Sequence, residues 1–448
     1  MVESYASSVE DKLIEGLTFK LEAGASYINE RRFCTYHPQG SNIYSPASGS
    51  KLIKINLTGQ DWMDANTFRV AFDLVNDGAV NPLTGVTQYL RPLSGPWSFF
   101  RRVRLMCAGQ VVEDIDYYNR CHELFEILTA SSSRKNESVE GFGFKWDEHN
   151  IPTPAQYQGI NPNDRMTVLF KPLCGLLNQS KFLPLQYLQS LSLELELVDS
   201  AAEAVVGNVG NFNNNNNSVL WHLENVQVKV DMVSLDSGVQ ESYHNVLMSS
   251  KNIPIHYNTF TSQFQTISSQ SEPFVNVSRA ATRLKSVFIT LDKTFEADRI
   301  TPGRRSWNDF YSPGSNSNRD AQIFKHNSAD EFELTVQIGS KIYPDYPVRS
   351  HQESYYQLRK TLGVQSSKVH SFDISPQEYR DNRFVMALDL EKSLGSSFTG
   401  LNTRSGDLLT CKFKYKSPTD AKKADRMHII LHTDNIMRIS GTGVEVFD

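Results

Sequence analysis

Apolar and polar residues alternate along many short segments of this chain. Strict alternation runs through residues 191–197, 226–232 and 331–338, and shorter stretches of the same period lie at 53–57, 68–74, 103–107 and 411–415. A period of two is typical of strands with one face on a core and one on solvent, and hence of antiparallel sheets. No strand–helix–strand rhythm accompanies these segments, so the pattern does not favour a parallel α/β fold. It predicts an all-β protein built from β-sandwiches.

A few short helices are predicted between the strands. Residues 115–128 carry apolar side chains at helical spacing. Residues 350–362 form a second candidate, in which Ser350 is the N-cap and Glu353 completes a capping box. A third candidate, at 237–248, lies between two groups of strands.

Long polar connections separate several strands. Residues 76–96 and 299–330 are rich in Asn, Ser, Gly and Pro, and residues 207–218 include an unbroken run of asparagines at 213–217. Because an asparagine run cannot pack a core, we expect a mobile loop tip there, in preference to a prion-like segment.

The chain also contains an internal duplication. The strand at 165–170 matches the strand at 383–388 at an offset of 218 residues, and the same offset takes Leu193 to Cys411. The offset then shrinks, because the first half contains the Asn-rich loop. A repeat of half the chain indicates two copies of one domain and not a solenoid. The number of strands in each copy predicts an eight-stranded jelly roll made of two Greek keys.

These patterns divide the chain into three parts. Residues 1–45 lack strand alternation and are predicted to be an N-terminal arm, residues 46–240 a first jelly roll and residues 241–448 a second. The boundary between the sandwiches is expected near residues 236–250. The predicted fold is therefore two tandem eight-stranded antiparallel β-sandwiches, a double jelly roll, with short helices and long loops.

Composition narrows the possible functions. The 448 residues include 39% hydrophobic and 21% charged residues, enough to bury sizeable cores. The formal net charge is −5, with 45 basic and 50 acidic residues, which argues against a protein that coats nucleic acid. No apolar run approaches the roughly 20 residues that span a bilayer. The absence of a signal-like N-terminus and an odd count of five cysteines favour synthesis inside a cell, with reduced thiols.

No chemical motif emerges from the sequence. It contains no phosphate-binding glycine loop, no nucleophile elbow and no His-Glu-x-x-His. His428 and His432 lie in a predicted strand, where they would be about 13 Å apart, too far to share a metal. The pair His122–Glu123 and His351 fall in the predicted helices, where packing or capping is favoured over catalysis. We therefore predict no catalytic, metal-binding or cofactor-binding residues, no cofactor, and a protein that is not an enzyme.

Two basic clusters fit structural roles better than nucleic-acid binding. They comprise Arg101, Arg102 and Arg104 beside several aromatic residues, and Lys412, Lys414 and Lys416 along one side of a strand. The arginines alternate with core positions, so a solvated or ion-paired face is favoured. The lysines are expected to face solvent and to discourage edge pairing.

Several stretches resemble the double jelly-roll major capsid proteins of Polinton-like viruses, adintoviruses and virophages. They include Gly-Gln-Asp-Trp-Met-Asp at 59–64 and Leu-Ser-Gly-Pro-Trp at 93–97, together with residues 67–76, 109–119, 182–187, 193–198, 283–288, 306–310, 337–344, 398–402 and 443–447. The resemblance covers nearly the whole chain from about residue 50. The resemblance is a similarity of the overall sequence and includes no chemical motif.

The resemblance implies a major capsid protein located in the virion and made in the host cytoplasm or nucleus. Such proteins form homotrimers whose six sandwiches make a pseudo-hexagonal capsomer, and these capsomers tile the icosahedral capsid of a double-stranded DNA virus. The implied partners are copies of the same chain, penton proteins and minor capsid proteins, without sequence-specific nucleic-acid binding. The loops at 207–218 and 299–330 would form outward towers and clamps, and the N-terminal arm would reach neighbouring capsomers.

Two other functions are compatible with tandem sandwiches. One is a capsid-like structural protein of an integrated mobile element. The other is a secreted carbohydrate-binding or glycoside-acting protein. The second is disfavoured because the chain shows neither a signal peptide nor clustered surface aromatic residues.

Overall fold

A computed structural model describes most of the chain. The described residues are 27–47, 50–80, 85–143, 159–188, 190–205, 216–249, 251–267, 270–292, 310–313, 331–364, 374–381, 383–392, 399–404, 408–416, 423–441 and 443–447.

The first half of the chain forms two packed antiparallel sheets. Its strands are β1 (Ile28–Tyr36), β2 (Ile43–Tyr44), β3 (Leu52–Leu57), β4 (Trp62–Asn76), β5 (Tyr89–Leu90), β6 (Phe100–Cys107), β7 (Gln110–Ile115), β8 (Arg165–Phe170), β9 (Leu183–Pro184), β10 (Leu191–Leu197), β11 (Asn217–Ser218) and β12 (Trp221–Leu235). One sheet has the order β1-β12-β4-β8, in which β2 also pairs with β12 and β9 with β4, and the other has the order β3-β10-β6-β7. The short strands β5 and β11 pair separately.

The second half repeats this arrangement. Its strands are β13 (Ile253–Thr266), β14 (Phe274–Val277), β15 (Leu284–Asp292), β16 (Phe332–Ile338), β17 (Lys341–Val348), β18 (Val385–Asp389), β19 (Leu409–Tyr415), β20 (Arg426–Ser440) and β21 (Gly443–Phe447). The sheets have the orders β13-β20-β15-β18, with β21 beside β20, and β14-β19-β16-β17.

The two halves have the same topology. When the eight principal strands of each half are counted in chain order, both sandwiches pair a sheet of order 1-8-3-6 with a sheet of order 2-7-4-5. This interleaving of two Greek keys is a jelly roll, so the double jelly roll predicted from the sequence is confirmed. The strands matched by the 218-residue offset, β8 with β18 and β10 with β19, occupy the same positions in their sheets.

The alternation predicts burial well in some strands and less well in others. In β16 the four apolar residues are buried and the polar residues between them are partly exposed. In β10 the polar residues Ser192 and Glu194 are buried as well. Long side chains of the flanking strands cover this face: Lys54 and Arg104 lie 3.2 and 3.4 Å from the carboxylate of Glu194. Side-chain pairing across strands therefore buries residues that the pattern assigned to solvent.

Among the described residues, five helices connect the strands: α1 (Tyr118–Ile127), α2 (Ser131–Glu137), α3 (Ser237–Met248), α4 (His351–Thr361) and α5 (Pro376–Asp381). Three of them, α1, α3 and α4, coincide with the predicted helices. At the start of α4 the Ser350 hydroxyl accepts a hydrogen bond from the amide of Glu353, whose carboxylate accepts one from the amide of Arg349. Helix α3 joins the last strand of the first sandwich to the first strand of the second, so the predicted boundary at 240/241 falls inside it.

The predicted N-terminal arm requires a correction. Strand β1, which lies within the predicted arm of residues 1–45, is hydrogen-bonded to β12 from Ile28↔Leu235 to Tyr36↔Val228. It therefore belongs to the first sandwich. The sequence pattern missed it because β1 is an edge strand with mostly exposed side chains, so its residues do not alternate in polarity. The rest of the predicted arm, residues 1–26, lies outside the described residues.

The Asn-rich loop and the other long connections are only partly described. Residues 206–215, 293–309 and 314–330 lie outside the described residues. Asn217, which ends the asparagine run, is buried and pairs with Tyr89 through β11 and β5, so this end of the predicted loop tip is ordered against the sandwich. Its side-chain oxygen accepts a hydrogen bond from the buried guanidinium of Arg91.

Candidate interaction surfaces

An internal interface joins the two sandwiches. Helix α1, which follows β7 in the first half, packs on the face of the β13-β20-β15-β18 sheet that points away from the core of the second sandwich. Phe125 of α1 lies against Phe260 and Phe288, with ring centroids 4.3 and 5.2 Å apart. Just before α1, Tyr117 contacts Phe264 at 4.5 Å. The first sandwich therefore covers the phenylalanines on this face of the second sandwich.

A buried ion pair lies within the same interface. The Arg120 guanidinium of α1 donates a hydrogen bond to Asp292 of β15 at 2.8 Å, and to the Leu291 carbonyl at 3.0 Å. Both side chains of the ion pair are almost fully buried, at 1% and 3% exposure. His428 of β20 lies 3.2 Å from the other carboxylate oxygen of Asp292. Burial lowers the pKa of His428 to about 4, which keeps it neutral at physiological pH.

A buried carboxylate forms a second polar connection between the halves. Glu113 of β7 accepts hydrogen bonds from the amides of Gly175 and Leu176 at 2.9 and 2.7 Å, and from the Thr259 hydroxyl of β13 at 3.0 Å. Burial raises the pKa of Glu113 to about 7, although the three donors act in the opposite direction. Nearby, Tyr257 of β13 donates its hydroxyl hydrogen to the Val112 carbonyl at 3.0 Å.

The corresponding outer face of the first sandwich is different in character. It belongs to the β1-β12-β4-β8 sheet and carries charged side chains together with two buried apolar ones, Trp62 and Val233. Arg31 pairs with Asp231 and Asp64, each at 2.8 Å, and Arg69 pairs with Glu140 at 2.8 Å. Helix α3 covers one end of this face, where Tyr243 lies against Trp62 with ring centroids 4.8 Å apart.

The histidines named in the sequence analysis lie beside aromatic rings and hydroxyl groups. His428 and His432 both lie in β20, as predicted, and the His432 ring stacks on Phe260 while its Nδ1 lies 3.2 Å from the Ser286 hydroxyl. His122 is buried beside Trp97 at a centroid distance of 4.2 Å, and His351 at the start of α4 lies 2.8 Å from the Ser312 hydroxyl.

Glu123 of α1 accepts hydrogen bonds from the segment before β6. Its carboxylate accepts hydrogen bonds from the Ser94 hydroxyl at 2.5 Å and from the Trp97 indole at 2.9 Å. These bonds tie the helix to the turn that precedes β6. Within the described residues, no group of three or more His, Cys, Asp or Glu side chains is arranged to hold a metal ion.

The arginine cluster of β6 is neutralised by nearby acids. Arg102 forms a two-pronged pair with Asp114, at 2.7 and 2.6 Å. Arg101 pairs with Asp199, and Arg104 with Glu194. These ion pairs leave little positive charge to attract phosphate groups, in agreement with the predicted ion-paired face.

The lysine row of β19 faces outward. Lys412, Lys414 and Lys416 are exposed and contact Gln337, Glu272 and Glu331 at 2.6–2.7 Å. The five cysteines are free thiols, four of them buried. In the part of the chain that is described, no helix is long and apolar enough to cross a membrane.

Sequence reasoning missed the residues that join the halves. Arg120 and Glu113 were not singled out, because the neighbouring Asn119 and Asp114 make a charged residue at either position ordinary. Asp292 gave no signal either, because a charged residue at the end of a strand is also ordinary. Only the packing of the two sandwiches brings it to Arg120.

Comparison with known proteins supports the fold and adds no close relative by sequence. The chain matches no family model and no curated protein. Among solved structures it is similar to the crystal structure of PBCV-1 VP54 fitted into a reconstruction of the virophage Sputnik, with a TM-score of 0.59 and 12% identity over 96% of this chain and 98% of that chain. The Sputnik virophage cryo-EM structure gives a TM-score of 0.59 and 10% identity, covering 96% and 90% of the two chains.

A third solved structure extends the similarity. The Faustovirus major capsid protein gives a TM-score of 0.60 and 9% identity over 94% of this chain and 92% of that chain. These matches cover both sandwiches, so they concern the whole tandem arrangement and not one jelly roll alone. The chain therefore has the double jelly-roll fold found in viral major capsid proteins.

Proposed function

We propose that this protein is a major capsid protein of a double-stranded DNA virus, assembling as a homotrimer into pseudo-hexagonal capsomers that tile an icosahedral shell. Its role is structural and not enzymatic, its location is the virion, and its partners are further copies of itself together with penton and minor capsid proteins. The fold shared with capsid proteins along the whole chain supports this role.

The observation that carries the proposal is the buried interface between two jelly rolls of one topology. The sandwiches are joined by a buried ion pair, a buried carboxylate and an aromatic cluster, so each chain presents two similar blocks in a fixed relation. Three such chains place six similar blocks around a threefold axis. A duplicated chain can thus fill a sixfold position in a lattice while keeping closed threefold symmetry.

The assembly state of the purified protein tests the proposal. Sedimentation velocity is expected to show a species of three chains of 50.7 kDa each, and negative-stain images are expected to show hexagonal particles or flat lattices. A chain that remains a monomer at every salt concentration and pH would refute the capsid role. Binding to a glycan array by such a monomer would favour the carbohydrate-binding alternative.

A further inference from the structure

A groove lies between the two sandwiches, next to Phe260 of their interface. Its volume is about 560 Å³, within the range of roughly 300–1,000 Å³ that small-molecule sites occupy. One wall is the turn at residues 175–179 of the first sandwich, and the other is formed by β13, β15 and β20 of the second. The walls meet where the Gly175 backbone lies against the Asn258 carbonyl. The groove is therefore built by both halves of one chain and needs no second copy.

Amide side chains make up much of the polar lining. Asn178 donates a hydrogen bond to the Cys174 carbonyl at 2.9 Å, and Gln179 donates one to the Gly175 carbonyl at 3.1 Å, so both amides are fixed to the turn through their nitrogens. Their side-chain oxygens have no hydrogen-bond partner among the described residues. On the opposite wall, the exposed side chain of Asn258 makes no hydrogen bond to any described residue. Each wall thus offers amide groups that are free to bind a ligand.

A carboxylate completes the wall on the side of the second sandwich. Asp434 of β20 lies directly across from Asn258 of β13 and is only 7% exposed. One of its oxygens lies 3.7 Å from Nζ of Lys285, and the other has no hydrogen-bond partner among the described residues. A buried carboxylate oxygen without a donor is unfavourable, because it has lost its hydration. A hydroxyl group of a ligand would supply the missing donor.

The charged side chains of the lining compensate each other. Lys285 lies close to Asp434 and also 3.2 Å from Glu391. Burial, reinforced by Lys285, lowers the pKa of His432 to about 3, so this imidazole is neutral at physiological pH. The His432 ring stacks on Phe260, with centroids 4.9 Å apart, and both rings line the groove. This lining favours a neutral ligand over a phosphate or an ammonium group.

We propose that the groove binds a short carbohydrate. Sugar hydroxyls both donate and accept hydrogen bonds, so they match free amide groups and a carboxylate that lacks a donor. The inference goes beyond the proposed function and is independent of it, because the groove lies within a single chain. Two sources share this chemistry, a soluble glycan and the headgroup of a glycolipid, and the test separates them.

The test measures binding by the full chain and by groove variants. One arm uses a glycan array, followed by calorimetric titration with the soluble oligosaccharide that gives the strongest signal. The other arm uses flotation with phosphatidylcholine vesicles, with and without monogalactosyldiacylglycerol. Binding in the first arm identifies a soluble glycan, and binding only to the glycolipid vesicles identifies a headgroup.

Asn258→Leu and Gln179→Leu are each expected to lower the affinity about tenfold, because each removes hydrogen-bonding groups from the site. The matched control is Gln265→Leu, which changes an exposed amide further along β13, outside the groove, and is expected to bind like wild type. Affinity for a neutral sugar is also expected to change less than about twofold between low and high salt, because screening acts on charges. Circular dichroism with thermal unfolding checks that each variant folds.

Three outcomes would overturn the site. They are a wild-type chain that binds neither the array nor the glycolipid vesicles, binding that both folded groove variants retain in full, and an affinity that falls steeply with salt. Sedimentation velocity on the same samples keeps this result separate from the proposed function. Trimers that bind no sugar would remove the site and leave the capsid role, whereas a permanent monomer that binds sugar through the groove would do the reverse.

Discussion

At the scale of single residues, the stability of this molecule depends on polar groups that the two sandwiches bury together. Arg120 and Asp292 come from different sandwiches and lose nearly all contact with water. A buried ion pair adds modest net stability, because desolvation offsets much of the attraction between the charges. Removing one partner is nevertheless costly, since the remaining charge stays buried without compensation.

We expect Asp292→Ala to lower the free energy of unfolding by about 3–5 kcal/mol, measured by urea denaturation. The control Glu272→Ala, which removes the partner of the exposed Lys414, is expected to cost less than about 1 kcal/mol. The double variant Arg120→Met/Asp292→Leu is expected to recover most of the loss, because no unpaired charge remains. If Asp292→Ala were as stable as wild type, the buried ion pair would not have the stabilising role described here.

Glu113 is expected to make stability depend on pH. Burial raises its pKa from 4.5 to about 7, so the folded chain keeps this proton over a range in which the unfolded chain has released it. Its contribution to stability is therefore greatest at low pH and is lost as the pH rises from 4.5 through 7. The buried histidines act with the opposite sign, because burial lowers the pKa of His122 and His428 to about 3 and 4.

The variant Glu113→Gln isolates this contribution, because the histidines titrate equally in both proteins. The unfolding free energy of wild type minus that of the variant is expected to fall by about 3 kcal/mol between pH 4.5 and pH 8, from urea denaturation at several pH values. A difference that stays constant with pH would show that Glu113 is already ionised at pH 4.5 in the folded protein.

At the scale of elements, one close approach sets the distance between the sandwiches. Gly175 is one of the two residues whose amides donate to Glu113, and a Cβ atom there would sit 1.5 Å from the Asn258 carbonyl oxygen of β13. The obstacle is backbone, which cannot rotate away as a side chain can. A glycine is therefore required for β13 to reach the first sandwich.

We expect Gly175→Ala to destabilise the chain by about 3 kcal/mol or more, because the added methyl group separates the two sandwiches. The control is Gly59→Ala, where the nearest atoms to an added Cβ are side-chain atoms at 3.4 Å or more, and its effect is expected to stay within about 1 kcal/mol. Thermal unfolding of both variants measures the difference. Equal melting temperatures would show that the interface adjusts without cost.

At the scale of the whole molecule, the interface should make the two sandwiches unfold together. If one sandwich unfolded alone, the other would expose a phenylalanine-rich face and leave Arg120 or Asp292 without its partner. We expect a single calorimetric transition in which the calorimetric and van 't Hoff enthalpies agree for the isolated monomer. In Asp292→Ala the transition is expected to broaden or divide, because the coupling weakens. Two separate transitions in wild type would contradict a rigid pair.

Local sequence was sufficient to predict the repeated unit. Alternation with a period of two predicted the strands, and the serine and glutamate at the start of α4 predicted its capping. The offset between the halves predicted two copies of one sandwich, and the number of strands in each copy predicted a jelly roll. Each of these signals comes from residues close in the chain or from the repetition itself. The same signals failed at β1, because an exposed edge strand has no buried face to impose a pattern.

The sequence alone thus determined the class, the duplication and the absence of a recognisable chemical motif. The tertiary structure decided which surfaces meet: it placed Arg120 beside Asp292, brought Gly175 against β13 and covered the outer face of the second sandwich with α1. Local periodicity records whether a side chain is buried in its own sandwich. It carries no information on which sandwich lies against the opposite face, because that depends on residues some 170 positions apart, such as Arg120 and Asp292.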